Sequence, residues 1–86
     1  MTVYEVIKIV ITDNVTRRQS IDLFKDRAVA VSQVNDRLTT QYEHVCELKL
    51  KPEWFSTADE WLGFQYINTK DQLIEIDYQI IPRTVF

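Results

Sequence analysis

The pair of residues with the most chemical potential is His44 and Cys46, whose spacing puts both side chains on one face of a strand. An imidazole beside a thiol can activate a nucleophile, and both groups can ligate zinc. A zinc site usually takes three or four protein ligands, and the chain has one His and one Cys. The sequence therefore predicts no metal and no cofactor. Cys46 is expected to be an inert core residue, in phase with Leu48 and Leu50.

Two charged pairs were weighed for catalysis or ligand binding. Glu75 and Asp77 share one face of a strand, but paired carboxylates do acid–base work only in a pocket that shifts their pKa values. The clean alternation around them predicts a solvated strand face instead. Arg17 and Arg18 fall in a predicted turn, where solvated charges are a simpler interpretation than a phosphate contact. With one glycine and no GxSxG or HExxH motif, the chain is expected to be non-enzymatic, with no catalytic residue.

Aromatic residues are concentrated in one segment, which contains Trp54, Phe55, Trp61, Phe64 and Tyr66. Tryptophan and tyrosine carry much of the binding energy at protein interfaces, but a thin domain can also bury them in its core. Both interpretations stay open for the two tryptophans. The predicted contact surface for another protein consists of Trp54, Phe55, Asp59, Glu60, Trp61 and Tyr66. Carboxylates at its rim, Glu53 among them, would favour a basic partner.

Composition narrows the classes of partner. The chain has 86 residues, which predicts a single domain over residues 1–86, and its net charge is −3. Nucleic-acid binding is disfavoured because it depends on neutralising phosphates. Two alternatives remain: a nucleic-acid module that stacks bases on Tyr66 and Tyr78, or an enzyme subunit completed by a partner chain. A homodimer is expected because edge strands invite pairing. No leader or membrane span is evident, so a cytoplasmic location is expected by default.

The first half of the chain predicts a strand, a second strand and a helix. Residues 3–12 alternate with β-branched residues and predict a strand, followed by a turn at Asp13 and Asn14. Residues 19–24 fit a second strand, although a helix from Ser20 to Tyr42 is the competing interpretation. With the strand preferred, Asp26 is the N-cap of a helix over residues 27–41. The apolar stripe of that helix is typical of packing on a sheet.

The second half predicts three more strands. Residues 44–51 alternate as a strand, and residues 64–67 and 73–81 form a hairpin that Pro82 terminates. Between them, residues 57–62 fit a short helix with Gly63 as its C′ residue, or else an irregular strand with a bulge at Gly63. The predicted fold class is therefore α+β. It is a small two-layer domain, in the order β-β-α-β-(short α)-β-β, whose mainly antiparallel sheet is covered on one face by one long helix.

Part of this pattern resembles a known group of sequences. The runs Val3-Tyr4-Glu5-Val6 and Ile21-Asp22-Leu23-Phe24, followed by Asp26 and Ala30 on the helix, are similar to short uncharacterised proteins of bacteriophages and prophages. The resemblance covers residues 3–45 and implies a hairpin followed by a helix. It implies no activity. It favours a small accessory protein over a housekeeping enzyme.

Overall fold

The fold is a five-stranded antiparallel sheet with one helix on one face, in a computed structural model that describes residues 1–56 and 62–85. The elements are β1 Thr2–Thr12, β2 Val15–Phe24, α1 Arg27–Glu47, β3 Glu53–Ser56, β4 Leu62–Ile67 and β5 Leu73–Thr84. The strand order is β2-β1-β5-β4-β3. The predicted α+β two-layer class is confirmed. The predicted short helix falls on residues outside the described ranges, except for Leu62, which belongs to β4.

The β1–β2 hairpin is tighter than predicted. Asp13 and Asn14 have φ angles of 48° and 66°, and Thr12 pairs directly with Val15. Two left-handed residues in a two-residue loop are typical of the turns whose twist matches that of a hairpin. The chain therefore enters β2 at once, so that Arg17 and Arg18 lie in a strand and not in a turn, as had been predicted. A strand before the helix is confirmed, with an earlier start.

Helix α1 begins as predicted, because the Asp26 carboxylate accepts a hydrogen bond from the Ala28 amide at 2.8 Å. It continues to Glu47, so the predicted strand over residues 44–51 is wrong. No glycine or proline interrupts residues 27–47, and Val45 extends the buried stripe of Ala30, Val34 and Leu38. Within the described ranges, no helix is long and apolar enough to cross a membrane.

The end of α1 explains why Cys46 is exposed rather than in the core. Lys49 adopts φ 62°, its amide donates to the Cys46 carbonyl at 2.9 Å, and the Leu50 amide donates to the Val45 carbonyl at 3.4 Å. This is a Schellman C-cap with lysine at the position that glycine usually holds. Helical phase therefore buries Val45 and turns its neighbour outward, so the prediction of a core cysteine is wrong.

The core lies between α1 and the sheet. Its buried residues are Val6, Ala30, Val34, Leu38, Val45, Phe64 and Tyr78. Strand β5 does not end at Pro82, as predicted, but runs on to Thr84. The pairing of β4 with β5 stops at Tyr78, so among the described residues Pro82 has a ladder partner only on β1. The missing amide of a proline is tolerated at such an edge.

Candidate functional site

The most prominent surface feature is the half-exposed Trp54 on β3, a strand that pairs only with β4 among the described residues. Its ring stacks on Tyr42 of α1, with centroids 4.7 Å apart and planes inclined by 16°. Phe64 approaches Trp54 edge-on at 5.6 Å. The Tyr42 hydroxyl donates a 3.5 Å hydrogen bond to the Pro52 carbonyl. These contacts hold the indole in place while 49% of Trp54 faces solvent.

Tyr66 and Tyr78 lie on the same helix-covered side of the sheet but differ in access. Tyr66 is half-buried and stacks on Phe64 at 6.1 Å. Tyr78 is buried under α1, where its hydroxyl meets the Gln41 side-chain oxygen at 3.2 Å and burial raises its pKa. A base-stacking platform that uses both tyrosines would therefore be covered by the helix at Tyr78.

Phe55 points to the other face of the sheet, because side chains alternate along β3. Its ring lies over Gly63, where an added Cβ would fall 2.9 Å from Phe55 Cζ and 2.5 Å from the Ile76 carbonyl oxygen. Position 63 of β4 is thus a glycine because the neighbouring strand and the Phe55 ring leave no room for a side chain. The predictions of a helix C′ residue or a bulge at this glycine are wrong.

A groove of about 450 Å³ runs beside β4, between the C-cap of α1 and the start of β5. Tyr66 contributes to its wall, and the remaining lining residues are Lys49, Leu50, Lys51, Glu53, Gln65, Ile67 and Leu73. No sequence pattern pointed to the two lysines at this position. They reach the groove because the left-handed residue at position 49 turns the chain back toward the sheet.

The predicted contact residues are therefore only partly brought together. Trp54 and Tyr66 flank Phe64 on the helix-covered side, whereas Phe55 is on the opposite face. Asp59, Glu60 and Trp61 lie outside the described residues. Of the two tryptophans, Trp54 is partly in the core and partly at the surface. One part of its ring contacts core aromatics and the rest faces solvent.

The face of the sheet that α1 does not cover, called here the helix-free face, carries an ordered polar layer at one end. Glu5 accepts hydrogen bonds from the Arg83 guanidinium at 2.9 and 3.2 Å and from the Ser20 hydroxyl at 2.9 Å. Arg83, and then Ser20, hold the pKa of the Glu5 carboxyl below its usual range. Arg18 donates to the Gln79 side chain at 3.3 Å, which joins β2 to β5 across β1.

The other end of the helix-free face contains Asp77, which was predicted to be solvated and is instead 4% exposed. Its strand neighbours in register are Ile9 on β1 and Gly63 on β4. Among residues 1–56 and 62–85, the buried Oδ1 atom has no hydrogen-bond partner. Burial, and then the nearby charge of Glu75, raise the pKa of the Asp77 carboxyl. The prediction failed because alternation fixed the face of the sheet but not the depth of the side chain on it.

Over residues 1–56 and 62–85, no group of three or more His, Cys, Asp or Glu side chains is arranged to hold a metal ion. No protein-family model, curated protein or solved structure matches the chain.

Proposed function

We propose that the protein is a small non-enzymatic interaction domain that binds another protein through β3 and the surface around Trp54. The observation that carries the proposal is the state of this tryptophan: 49% exposed, yet held between Tyr42 and Phe64. A large amphipathic ring that is already ordered loses little conformational entropy on binding. Such rings are typical of interface hot spots.

The surroundings of Trp54 support a protein partner. Two exposed apolar side chains, Ile67 and Leu73, line the groove to which Tyr66 also contributes. Within the described residues, β3 has a hydrogen-bonded neighbour on one side only, so its other edge can receive an extended segment. The resemblance of residues 3–45 to short phage and prophage proteins is the ground for proposing an accessory role. A second copy of the chain is one partner that this surface could take.

Capture from a lysate, read by mass spectrometry, tests the proposal with Trp54→Ala as the variant. We expect the variant to lose the captured partner while its free energy of unfolding falls by about 1–3 kcal/mol, the worth of its two aromatic pairs with Tyr42 and Phe64. The matched control is Val29→Ala, which removes an exposed apolar side chain from α1. Light scattering on the purified chain identifies self-association as the captured interaction.

Two outcomes would contradict the proposal. In the first, Trp54→Ala retains every protein that the wild-type chain captures, which would show that this surface is not the interface. In the second, the substitution costs about 3–5 kcal/mol, as for a large aromatic in a core. Trp54 would then be a structural residue, and its exposure would have no role in binding.

A further inference from the structure

The half of the helix-free face formed by β3, β4 and β5 is acidic. Reading across the sheet in register, Glu53 lies beside Gln65, which lies beside Glu75, and the adjoining row runs through Phe55, Gly63 and Asp77. None of the residues that these described strands present to this face between positions 53 and 79 is basic. Lys49 and Lys51 line the groove at Glu53 and Gln65, and neither Glu75 nor Asp77 lines that groove. The carboxylates of Glu75 and Asp77 are close enough that the first raises the pKa of the second.

Asp77 makes this more than a group of acidic surface residues. The residue is 4% exposed and its Oδ1 has no partner in the part of the chain that the structure describes, although a buried carboxylate oxygen that lacks a hydrogen bond is costly. Arg18 lies in the same row beyond Ile9, but its guanidinium is directed to Gln79. The described strands thus supply donors for Glu5 and none for the Oδ1 of Asp77.

We propose that Glu75 and Asp77 form a receptor for an arginine side chain of a partner protein. A guanidinium is planar and presents paired N–H donors, which match carboxylate oxygens in a way that a compact ammonium does not. Glu75 is half-buried and offers the first contact, and the guanidinium then supplies the missing donor at Asp77.

The Phe55 ring completes the receptor. It is half-buried and covers the backbone at Gly63, directly beside Asp77. Asp77 is nearly inaccessible, so we expect the ring to move off Gly63 as the arginine enters, and its face can then stack on the guanidinium. Phe55 belongs to β3, the strand that also carries Trp54. The inference deepens the proposed function, on which it rests, by naming the chemistry of the partner.

The test uses N-acetyl-arginine amide as the probe and its uncharged isostere, N-acetyl-citrulline amide, as the ligand control. The carboxyl carbon signals of the intact chain are followed by NMR while pH is varied. A ligand that binds only the ionised carboxylate lowers its apparent pKa, by about one pH unit when present at tenfold its Kd. We expect the arginine amide, and not the citrulline amide, to lower the pKa of Asp77 and to shift the ring signals of Phe55.

Variants separate this receptor from the rest of the surface. Asp77→Asn should abolish arginine-amide binding, and Glu75→Gln should weaken it about tenfold, a typical loss for one charged hydrogen bond. Asp36→Asn, the same change at an exposed site on α1, should leave it unaltered. Trp54→Ala should also leave it unaltered, so loss of partner capture in that variant and failure of the receptor are separate results.

Two results would overturn the inference. In the first, the arginine and citrulline amides act alike at Asp77. In the second, Arg18→Gln raises the pKa of Asp77 in the free protein. That increase would show that Arg18 turns from Gln79 to Asp77 in solution, so that the carboxylate already has an intramolecular partner.

Discussion

Glu5 and Asp77 lie on the same face of the same sheet, yet their environments are opposite. Glu5 receives three hydrogen bonds from Arg83 and Ser20, and these lower its pKa. Asp77 is buried between Ile9 and Gly63, has an oxygen with no partner within the described ranges, and its pKa is raised. Both residues occupy polar positions of alternating strands. Their difference is set by cross-strand neighbours, because register places donors near one carboxylate and an isoleucine and a glycine beside the other.

This contrast indicates where the molecule is optimised for stability and where it is not. The Glu5 end needs nothing further to satisfy its polar groups. The Asp77 end carries an unfavourable buried charge, which is the kind of local conflict that proteins retain at functional sites.

Gly63→Ala should have the largest effect, because Gly63 is the strand neighbour of Asp77 and has no room for a side chain. The new methyl group would lie 2.5 Å from the backbone oxygen of Ile76 and 2.7 Å from Asp77 Cβ, and backbone cannot yield as a flexible side chain can. We expect a loss of about 3 kcal/mol in the free energy of unfolding, the upper end for overpacking. Urea denaturation measures it, and a loss below about 0.5 kcal/mol would show that β4 and β5 are not this close.

Asp77→Asn should stabilise the chain at neutral pH by about 1 kcal/mol, because it removes an unpaired buried charge. A raised pKa in the folded state means that the native chain binds more protons than the unfolded chain above pH about 3.9. Stability from this group is present at low pH and is lost as pH rises through the folded pKa. Thermal melts from pH 3 to 8 should show this decline in the wild type and a flatter profile in the variant.

Arg83→Leu should remove the guanidinium donors from Glu5 and so make the environment of this carboxylate more like that of Asp77. The lowered pKa of Glu5 contributes stability that is present above its unfolded pKa and is lost as pH falls through the folded value. Without Arg83 we expect the pKa of Glu5 to rise and this acid-side loss to shrink, with a small decrease in stability at pH 7 because the pair is exposed. Carboxyl NMR titration measures the pKa, and an unchanged value would contradict the geometry.

Ser20→Ala should have the smallest effect, since it removes one of three hydrogen bonds to Glu5 and leaves the Arg83 pair in place. The pKa of Glu5 should rise by less than in Arg83→Leu. If the two variants raise it equally, the serine hydroxyl and the guanidinium act as one unit, and their contributions cannot be separated.

Sequence reasoning succeeded where one periodicity extended over many residues. Residues 3–12 and 73–81 alternate for nine or more positions, and both are strands. It failed over residues 44–51, where a short alternation also fits the 3.6-residue period of a helix. The continuing stripe through Val45 decided that segment, because it lets the helix bury one more side chain against the sheet. Local pattern cannot reveal this when both periods fit the same few residues.

The candidate site, too, was predicted only in part from the sequence. An aromatic contact surface around Trp54 and Tyr66 was predicted from residue type, and the structure places both beside Phe64. Phe55 was assigned to the same surface, but strand alternation puts it on the opposite face over Gly63. The groove lysines, Lys49 and Lys51, were missed because their position depends on the turn after α1.

Local pattern in the sequence settled the fold class, the two faces of β1 and β5, the Asp26 cap and the turn at Asp13 and Asn14. All of these follow from short-range sterics and from the repeat of side chains along a strand or helix. Only the tertiary structure decided that Glu5 is paired and Asp77 is not. That outcome depends on which residues other strands bring into register, and pairing between residues as distant as Glu5 and Arg83 leaves no local pattern in the chain.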